Sequence, residues 1–444
     1  MRTTTRATTG ESTVSTTRPH GDGDGGGIRA NTCWAFAGNA VYAVCQWLVF
    51  VLLVKSLSPG DVGRFAYWTA VTGPIFVMAN MRLRNLLAAG VGVPHGFPDY
   101  LAARLLTAAV AVCAALVIGI VSGGAEAVAV LALIALARSC DAVSDICHGL
   151  FQRELKMRSA ATGLMASGLL SAALVGLSLA LRPSLRSAAA MYAAGALLAL
   201  VAWDLPRVRG LAVERGSAPT PRAVWGLIRR GLPLGLSSAI GSVRVNLPRY
   251  VVAAYLGPAA LAVFTALTHI PTLGNLVVNA LSQAALPVLA RDLQGSPARY
   301  RRRLRVLVAL GVSLGLAGLL AAASIGRAVL AWMYRADYAD HVGVLLWLMA
   351  ASAVTYAYLF LGTALTVRMR FGVQCLIGAA GLAAVAGSVV PLVRSFGLTG
   401  AACALLAGAI VEGAAYVVLS GRDLAADRPS DHVPRGVLVE GVRS

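Results

Sequence analysis

The sequence predicts an all-α polytopic membrane protein of about 12 transmembrane helices. Three observations predict it. Apolar stretches long enough to cross a hydrocarbon core of about 30 Å recur from about residue 33 to residue 420, with mostly short gaps between them. Of 444 residues 58% are apolar and only 13% charged, and the mean hydropathy is +0.73, outside the range of soluble domains. The basic residues gather in alternate gaps, as the positive-inside rule requires of a protein threading back and forth through a bilayer.

Taken in chain order, residues 1–30 are polar and end in the glycine-rich run Gly21 to Gly27. Such a stretch cannot bury a core and reads as a disordered tail, too polar for the h-region of a signal peptide. Hydropathy then places spans near 33–56, 65–88, 101–122, 126–148, 159–181 and 187–205, followed by a basic linker at 206–230. Six more follow near 232–255, 259–288, 305–325, 343–367, 372–393 and 397–420, and a polar tail occupies 421–444. An even number of spans puts both termini on one side. With that side taken as cytoplasmic, most of the 38 Lys and Arg fall in inner loops and tails. The net charge of +19 therefore reads as topology and gives no reason to expect nucleic acid. Trp34, Trp68, Trp203, Trp225, Trp332 and Trp347 stand near span ends, where amphipathic rings prefer the headgroup region, while Trp47 lies mid-span.

The two halves, 31–205 and 231–420, resemble each other in one register. Leu57-Ser58-Pro59 falls on Leu256-Gly257-Pro258, Phe65 on Phe264, Thr69 on Thr268 and Asn80 on Asn279. That pattern predicts two parallel six-helix bundles about a pseudo-twofold axis along the membrane normal, with a cavity between them.

No phosphate-binding glycine loop, nucleophile elbow or metal-ligand spacing occurs, so the expectation is a non-enzyme without cofactor or metal. The seven cysteines sit inside apolar stretches and read as small fillers. Three arginines remain within spans: Arg138, Arg244 and Arg249. Charge at membrane depth is costly, which makes such residues candidates for function.

Arg138, Asp141, Asp145 and His148 follow one another at helical spacing and share one helix face. Two readings stand for this stripe: an internal salt bridge that ties the bundle together, or a cavity cation with two acids that orient it or exchange protons. Arg244, without an acid one turn away on its own helix, is a candidate for an anion site, because the guanidinium fork matches phosphate oxygens. Arg249 reads either as a second member or as a snorkelling residue. His269 and Glu412 are coupling or salt-bridge candidates. Arg82 and Arg84 satisfy the positive-inside rule and also stand where an anionic headgroup would enter. The run Arg299, Arg301, Arg302, Arg303 and Arg305 reads first as topology and then as attraction to anionic membrane lipid.

Several stretches resemble the polysaccharide exporter branch of the multidrug, oligosaccharidyl-lipid and polysaccharide flippase superfamily. They are the Leu57-Ser58-Pro59-Gly60-Asp61-Val62-Gly63 turn leading into Phe65, the Arg138, Asp141, Ser144-Asp145, Gly149-Leu150 and Gln152-Arg153 pattern, and Ala285-Leu286-Pro287-Val288-Leu289-Ala290-Arg291. The resemblance implies a V-shaped pair of bundles that alternates between inward-open and outward-open states in the bacterial cytoplasmic membrane. It implies a flippase for polyprenyl-pyrophosphate-linked oligosaccharide, with a cationic cavity that meets the diphosphate and with other polysaccharide assembly proteins as partners. A proton- or sodium-coupled multidrug or metabolite exporter of the same fold is the alternative. A membrane glycosyltransferase or polymerase would need a sizeable external loop, which these spans do not leave.

Overall fold

The computed structural model describes residues 24–89, 96–122, 124–211 and 218–425. The expected tails lie largely outside the described residues. Their inner edges are helical: α1 (Asp24–Ser56) starts before residue 31, and α12 (Phe371–Ala425) runs past residue 420.

Every described element is helical, as a lipid-facing backbone demands when each N–H and C=O must be satisfied inside its own segment. After α1 come α2 (Pro59–Asn80), the short α3 (Leu83–Ala89), α4 (Phe97–Ser122), α5 (Ala125–Arg153), α6 (Met157–Leu181) and α7 (Leu185–Ala199). A π turn over Leu200–Asp204 leads into α8 (Leu205–Gly210) inside the stretch expected to be linker. The remaining long helices are α9 (Pro221–Gly295), α10 (Pro297–Met333), α11 (Val342–Val367) and α12.

Nine helical runs among the described residues are long and apolar enough to cross a membrane, against the twelve spans read from hydropathy. Two causes account for the difference. Both α9 and α12 contain a residue far from helical geometry, Gly257 with φ 84° and Gly397 with φ 59°, so each run reverses direction at a glycine that tolerates positive φ. The other cause is α2, whose Arg64, Thr69, Thr72 and interior Pro74 dilute its apolar character.

The matched turns behave alike. Ser58 caps α2 by accepting from Asp61 N at 3.2 Å, with Pro59 at the first helical position, an arrangement worth about 1 kcal/mol. Pro258 likewise opens the second limb of α9 directly after Gly257. Because helices joined by short turns alternate in direction, both turns lie at one end of the molecule, here called the far end. The linker and the arginine-rich start of α10 lie at the opposite, basic end.

Helices α1 and α4–α7 pack among themselves, and α9–α12 do the same; the two groups meet chiefly along α2 and α9. At the far end the approach is closest. A Cβ on Gly63 would run into the backbone carbonyl of Pro258, so only glycine permits this contact. Beside it, Trp47 Nε1 donates to the Tyr334 hydroxyl at 3.0 Å, and that hydroxyl donates to Ala266 O at 3.0 Å. This relay accounts for the one tryptophan placed away from a span end. Lys55 Nζ reaches Trp332 O at 3.2 Å, and Phe50 packs on His269 with ring centroids 4.9 Å apart.

Candidate functional site

Between the two groups of helices lies a cavity of about 270 Å³. Tyr42, Gln46 and Phe50 of α1, Phe65 and Thr69 of α2, and Arg138 of α5 line one side; Arg249, Thr265 and His269 of α9 line the other. Two of the three arginines singled out by depth therefore face the same space from opposite groups of helices.

Among the described residues neither makes a direct ion pair, although Asp141, one turn along α5, is near enough to feel the charge of Arg138. Arg249 is held only by neutral oxygens, donating from one terminal nitrogen to Asn246 Oδ1 at 3.0 Å and from the other to Thr268 Oγ1 at 3.0 Å. Its Nε has no partner. Arg138 Nε is buried without a partner as well, and among the described residues no carboxylate oxygen lies within ion-pair distance of either guanidinium. Thr69 Oγ1 and Thr265 Oγ1, on opposite sides of the same cavity, are also buried and unpartnered. Buried polar groups are nearly always satisfied, and each one left open costs about 1–3 kcal/mol. Four such atoms on one cavity make a site whose missing partner is a ligand rich in acceptor oxygens.

The local sequence explains the aim of Arg249. Arg244 and Arg249 are five residues apart on one helix, which places them about 140° apart around its axis. Pro248 lies between them and removes the hydrogen bond that would close on the Arg244 carbonyl. Arg244 consequently points away from the cavity and meets Glu412 of α12, Nε to Oε1 at 3.1 Å. Glu412 is buried and also accepts from the Tyr358 hydroxyl. Arg244 was expected at an anion site and Glu412 was a coupling or pairing candidate; the structure joins them as a pair.

The polar stripe of α5 is divided among separate partners. Arg138 faces the cavity. Asp141 accepts from the Tyr42 hydroxyl at 3.4 Å, at the cavity edge. Asp145 is shared by Arg84 at 3.4 Å and Arg104 at 3.1 Å. His148 Nε2 lies 3.2 Å from Asp204 Oδ1, both groups buried. Arg82, at the basic end, donates to Ser238 Oγ at 2.9 Å and links α2 to α9. Of the nine candidates, Arg138, Arg249 and His269 share the cavity, with Asp141 at its edge. Arg84 with Asp145, and Arg244 with Glu412, form two separate pairs.

Sequence reasoning passed over Arg104, which is fully buried and also donates to Asn80 Oδ1 at 2.5 Å. Its signal was its position two turns inside an apolar helix. Asp204, Thr265, Gln46 and Tyr192, which donates to Gln46 Oε1 at 3.0 Å, carried no signal beyond being polar in a span, and Thr69 carried only its match to Thr268 in the repeat.

Comparison with known proteins supplies the family. A model described as polysaccharide biosynthesis protein matches residues 28–292. The chain belongs to that family. It is 20% identical over 349 residues to the capsular polysaccharide biosynthesis protein CapF of Staphylococcus aureus, covering 78% of this chain and 87% of the relative. Among solved structures, an inward-facing multidrug resistance MATE family transporter of the MOP superfamily superposes with a TM-score of 0.73 at 14% identity. That match covers 88% of this chain and 98% of the transporter. The lipid II flippase MurJ in an inward closed conformation gives 0.71 at 9% identity, over 87% of this chain and 88% of its own. A MOP superfamily transporter from Pyrococcus furiosus, described by the reverse polarity of its binding pocket, gives 0.65 at 15% identity, over 90% of this chain and 96% of its own. The fold of this family member is thus the all-helical MOP architecture of multi-pass membrane proteins.

Proposed function

We propose that this protein is a flippase that carries a polyprenyl-diphosphate-linked oligosaccharide across the bacterial cytoplasmic membrane by alternating access. The observation that carries this reading is the cavity lined by Arg138 and Arg249, neither in a direct ion pair among the described residues, with four unpartnered polar atoms. Diphosphate oxygens would satisfy all of them at once: guanidinium forks take phosphate in charge-assisted bonds, and the threonine hydroxyls donate to the remaining lone pairs. Positive-inside bias supports a cytoplasmic basic end and cytoplasmic termini. The cargo would then be loaded past Arg82 and Arg84 and released at the far end.

The cavity volume, about 270 Å³, is below the roughly 300–1,000 Å³ of drug-sized pockets. It suits a diphosphate and not an attached oligosaccharide, so in this reading the helix groups separate when the glycan passes. Membership of the polysaccharide biosynthesis family agrees with such a cargo.

The test is uptake of a fluorescent polyprenyl diphosphate sugar into the inner leaflet of proteoliposomes, with surface polysaccharide measured in cells. Arg138→Ala and Arg249→Ala are each expected to lower transport at least tenfold, the loss of about 1.5–3 kcal/mol carried by a charged hydrogen bond. Unchanged transport in both would remove the anion-site reading. One observation favours a second reading, a proton- or sodium-coupled exporter: Asp141 accepts from the Tyr42 hydroxyl of the cavity lining and, among the described residues, makes no direct ion pair. Drug resistance on overexpression, lost in Asp141→Asn, would support that reading instead.

A further inference from the structure

A second cavity, of about 600 Å³, opens at the far end. Arg64, Tyr67 and Trp68 of α2, Glu126 and Val130 of α5, and Tyr250 of α9 stand in its lining. It neighbours the central cavity, because the same three helices contribute residues to both linings. On α2, Phe65 and Thr69 face the central space while Tyr67 and Trp68 face the far-end one. On α9, Arg249 faces inward and its neighbour Tyr250 faces outward. On α5, Arg138 and Ile134 lie deep and Val130 lies one turn further out. Close to both spaces one hydrogen bond joins the two groups of helices, from the Tyr250 hydroxyl to Ala70 O at 2.6 Å.

The two linings differ in chemistry. The central one also carries aromatic rings, Tyr42, Phe50, Phe65 and Tyr192, and sets among them two guanidiniums, Arg138 and Arg249, outside any direct ion pair among the described residues. The far-end one offers three aromatic side chains with one guanidinium and one carboxylate at the rim. Arg64 is already paired with Asp61 at 3.0 Å, so it presents hydrogen-bond donors and little net charge. Tyr67 and Trp68 meet edge to face, with centroids 4.9 Å apart, which fixes their rings relative to each other. Rigid aromatic surface with a few donors and acceptors at its edge matches a sugar ring, whose C–H faces are apolar and whose hydroxyls both donate and accept. The volume falls within the range of small-molecule sites and has room for a saccharide unit.

We infer that this far-end cavity is a saccharide-binding station on the release side of the transport path, with the Tyr250–Ala70 hydrogen bond as the partition between it and the central anion site. The inference rests on the flippase reading: the diphosphate is held centrally while the sugar is received beyond the partition. Arg64, Glu126, Tyr67 and Tyr250 would then select for the glycan, and Arg138 and Arg249 for the charged linkage.

The experiment places p-benzoylphenylalanine at Ala254, which lines the far-end cavity, or at Gln46, which lines the central one, in the full chain in lipid nanodiscs. Two radiolabelled probes are compared, a polyprenyl diphosphate bearing one N-acetylhexosamine and the same lipid without sugar. At Ala254 the sugar-bearing probe is expected to crosslink about fivefold more than the sugar-free one, the equivalent of one or two net hydrogen bonds. At Gln46 the two probes crosslink equally. Arg64→Ala with Glu126→Gln removes the preference at Ala254 and leaves the Gln46 yield unchanged. Equal crosslinking of both probes at Ala254, or crosslinking to nanodisc phospholipid alone, overturns the saccharide station while a Gln46 crosslink leaves the flippase reading standing. No crosslink to either probe at either position overturns both.

Discussion

Arg244 of α9 and Glu412 of α12 form an ion pair at 3.1 Å, with the carboxylate buried and a second hydrogen bond reaching it from Tyr358. A pair of this kind contributes little net stability, but breaking it leaves a charge stranded, at a cost of about 3–5 kcal/mol. Arg244→Ala and Glu412→Ala are each expected to lower the melting temperature of the detergent-solubilised protein. The double substitution Arg244→Ala with Glu412→Ala should recover much of that loss. Fluorescence-detected size-exclusion after heating reads the effect. If the double variant also restores surface polysaccharide, the pair is an internal tie; if it folds and does not transport, the pair belongs to the coupling machinery.

Thr69 and Thr265 offer a sharper separation of stability from binding. Their hydroxyls are buried and unpartnered on the central cavity, so replacing each with valine of the same shape removes a penalty. Thr69→Val and Thr265→Val are expected to leave the melting temperature equal or raise it by a degree or two. Transport of a diphosphate-linked lipid should nevertheless fall several-fold. A fall in stability without a transport defect would show that these hydroxyls serve packing.

Asp145 answers two arginines, Arg84 at 3.4 Å and the fully buried Arg104 at 3.1 Å. Its removal strands Arg104, which cannot shed its charge. Asp145→Ala is expected to cost about 3–5 kcal/mol, seen as poor yield and early aggregation. Arg84→Ala should be milder, because its partly exposed guanidinium is screened by solvent. Equal yields for the two variants would argue against the shared pair.

Depth was legible in the sequence and direction was not. Hydropathy reads Arg138, Arg244 and Arg249 within spans, and the structure sets all three within long apolar helices, since a charge in an apolar run is visible in any register. Which way each faced depended on the angle around the helix and on chain far away. The five-residue spacing alone requires Arg244 and Arg249 to diverge. It does not say that Glu412, remote in sequence, waits beside the first, or that Thr268 and Asn246 hold the second. The α5 stripe shows the same limit. Helical periodicity put Arg138, Asp141, Asp145 and His148 on one face, and the cavity and separate partners on other helices then divided them. Helix number was blurred for another reason: a glycine with positive φ lets a chain turn back with almost no polar loop, so α9 and α12 each run on through a reversal at Gly257 or Gly397.

The Trp47–Tyr334–Ala266 relay yields a prediction about conformation. In it one tyrosine hydroxyl accepts from an indole of α1 and donates to a carbonyl of α9, holding the far ends of the two helix groups together. Tyr334→Phe leaves the Trp47 Nε1 hydrogen without its acceptor, a loss of about 1–3 kcal/mol. In an alternating-access protein that loss falls on the far-end-closed state alone, so the balance shifts toward far-end opening. A cysteine at Val49, on the central cavity, in a background with the seven native cysteines replaced, should react faster with an impermeant thiol reagent applied from the far side. The expected acceleration is about tenfold, the equivalent of about 1.4 kcal/mol. An unchanged rate, with the variant folded and inserted normally, would show that the relay is not what keeps the far end shut.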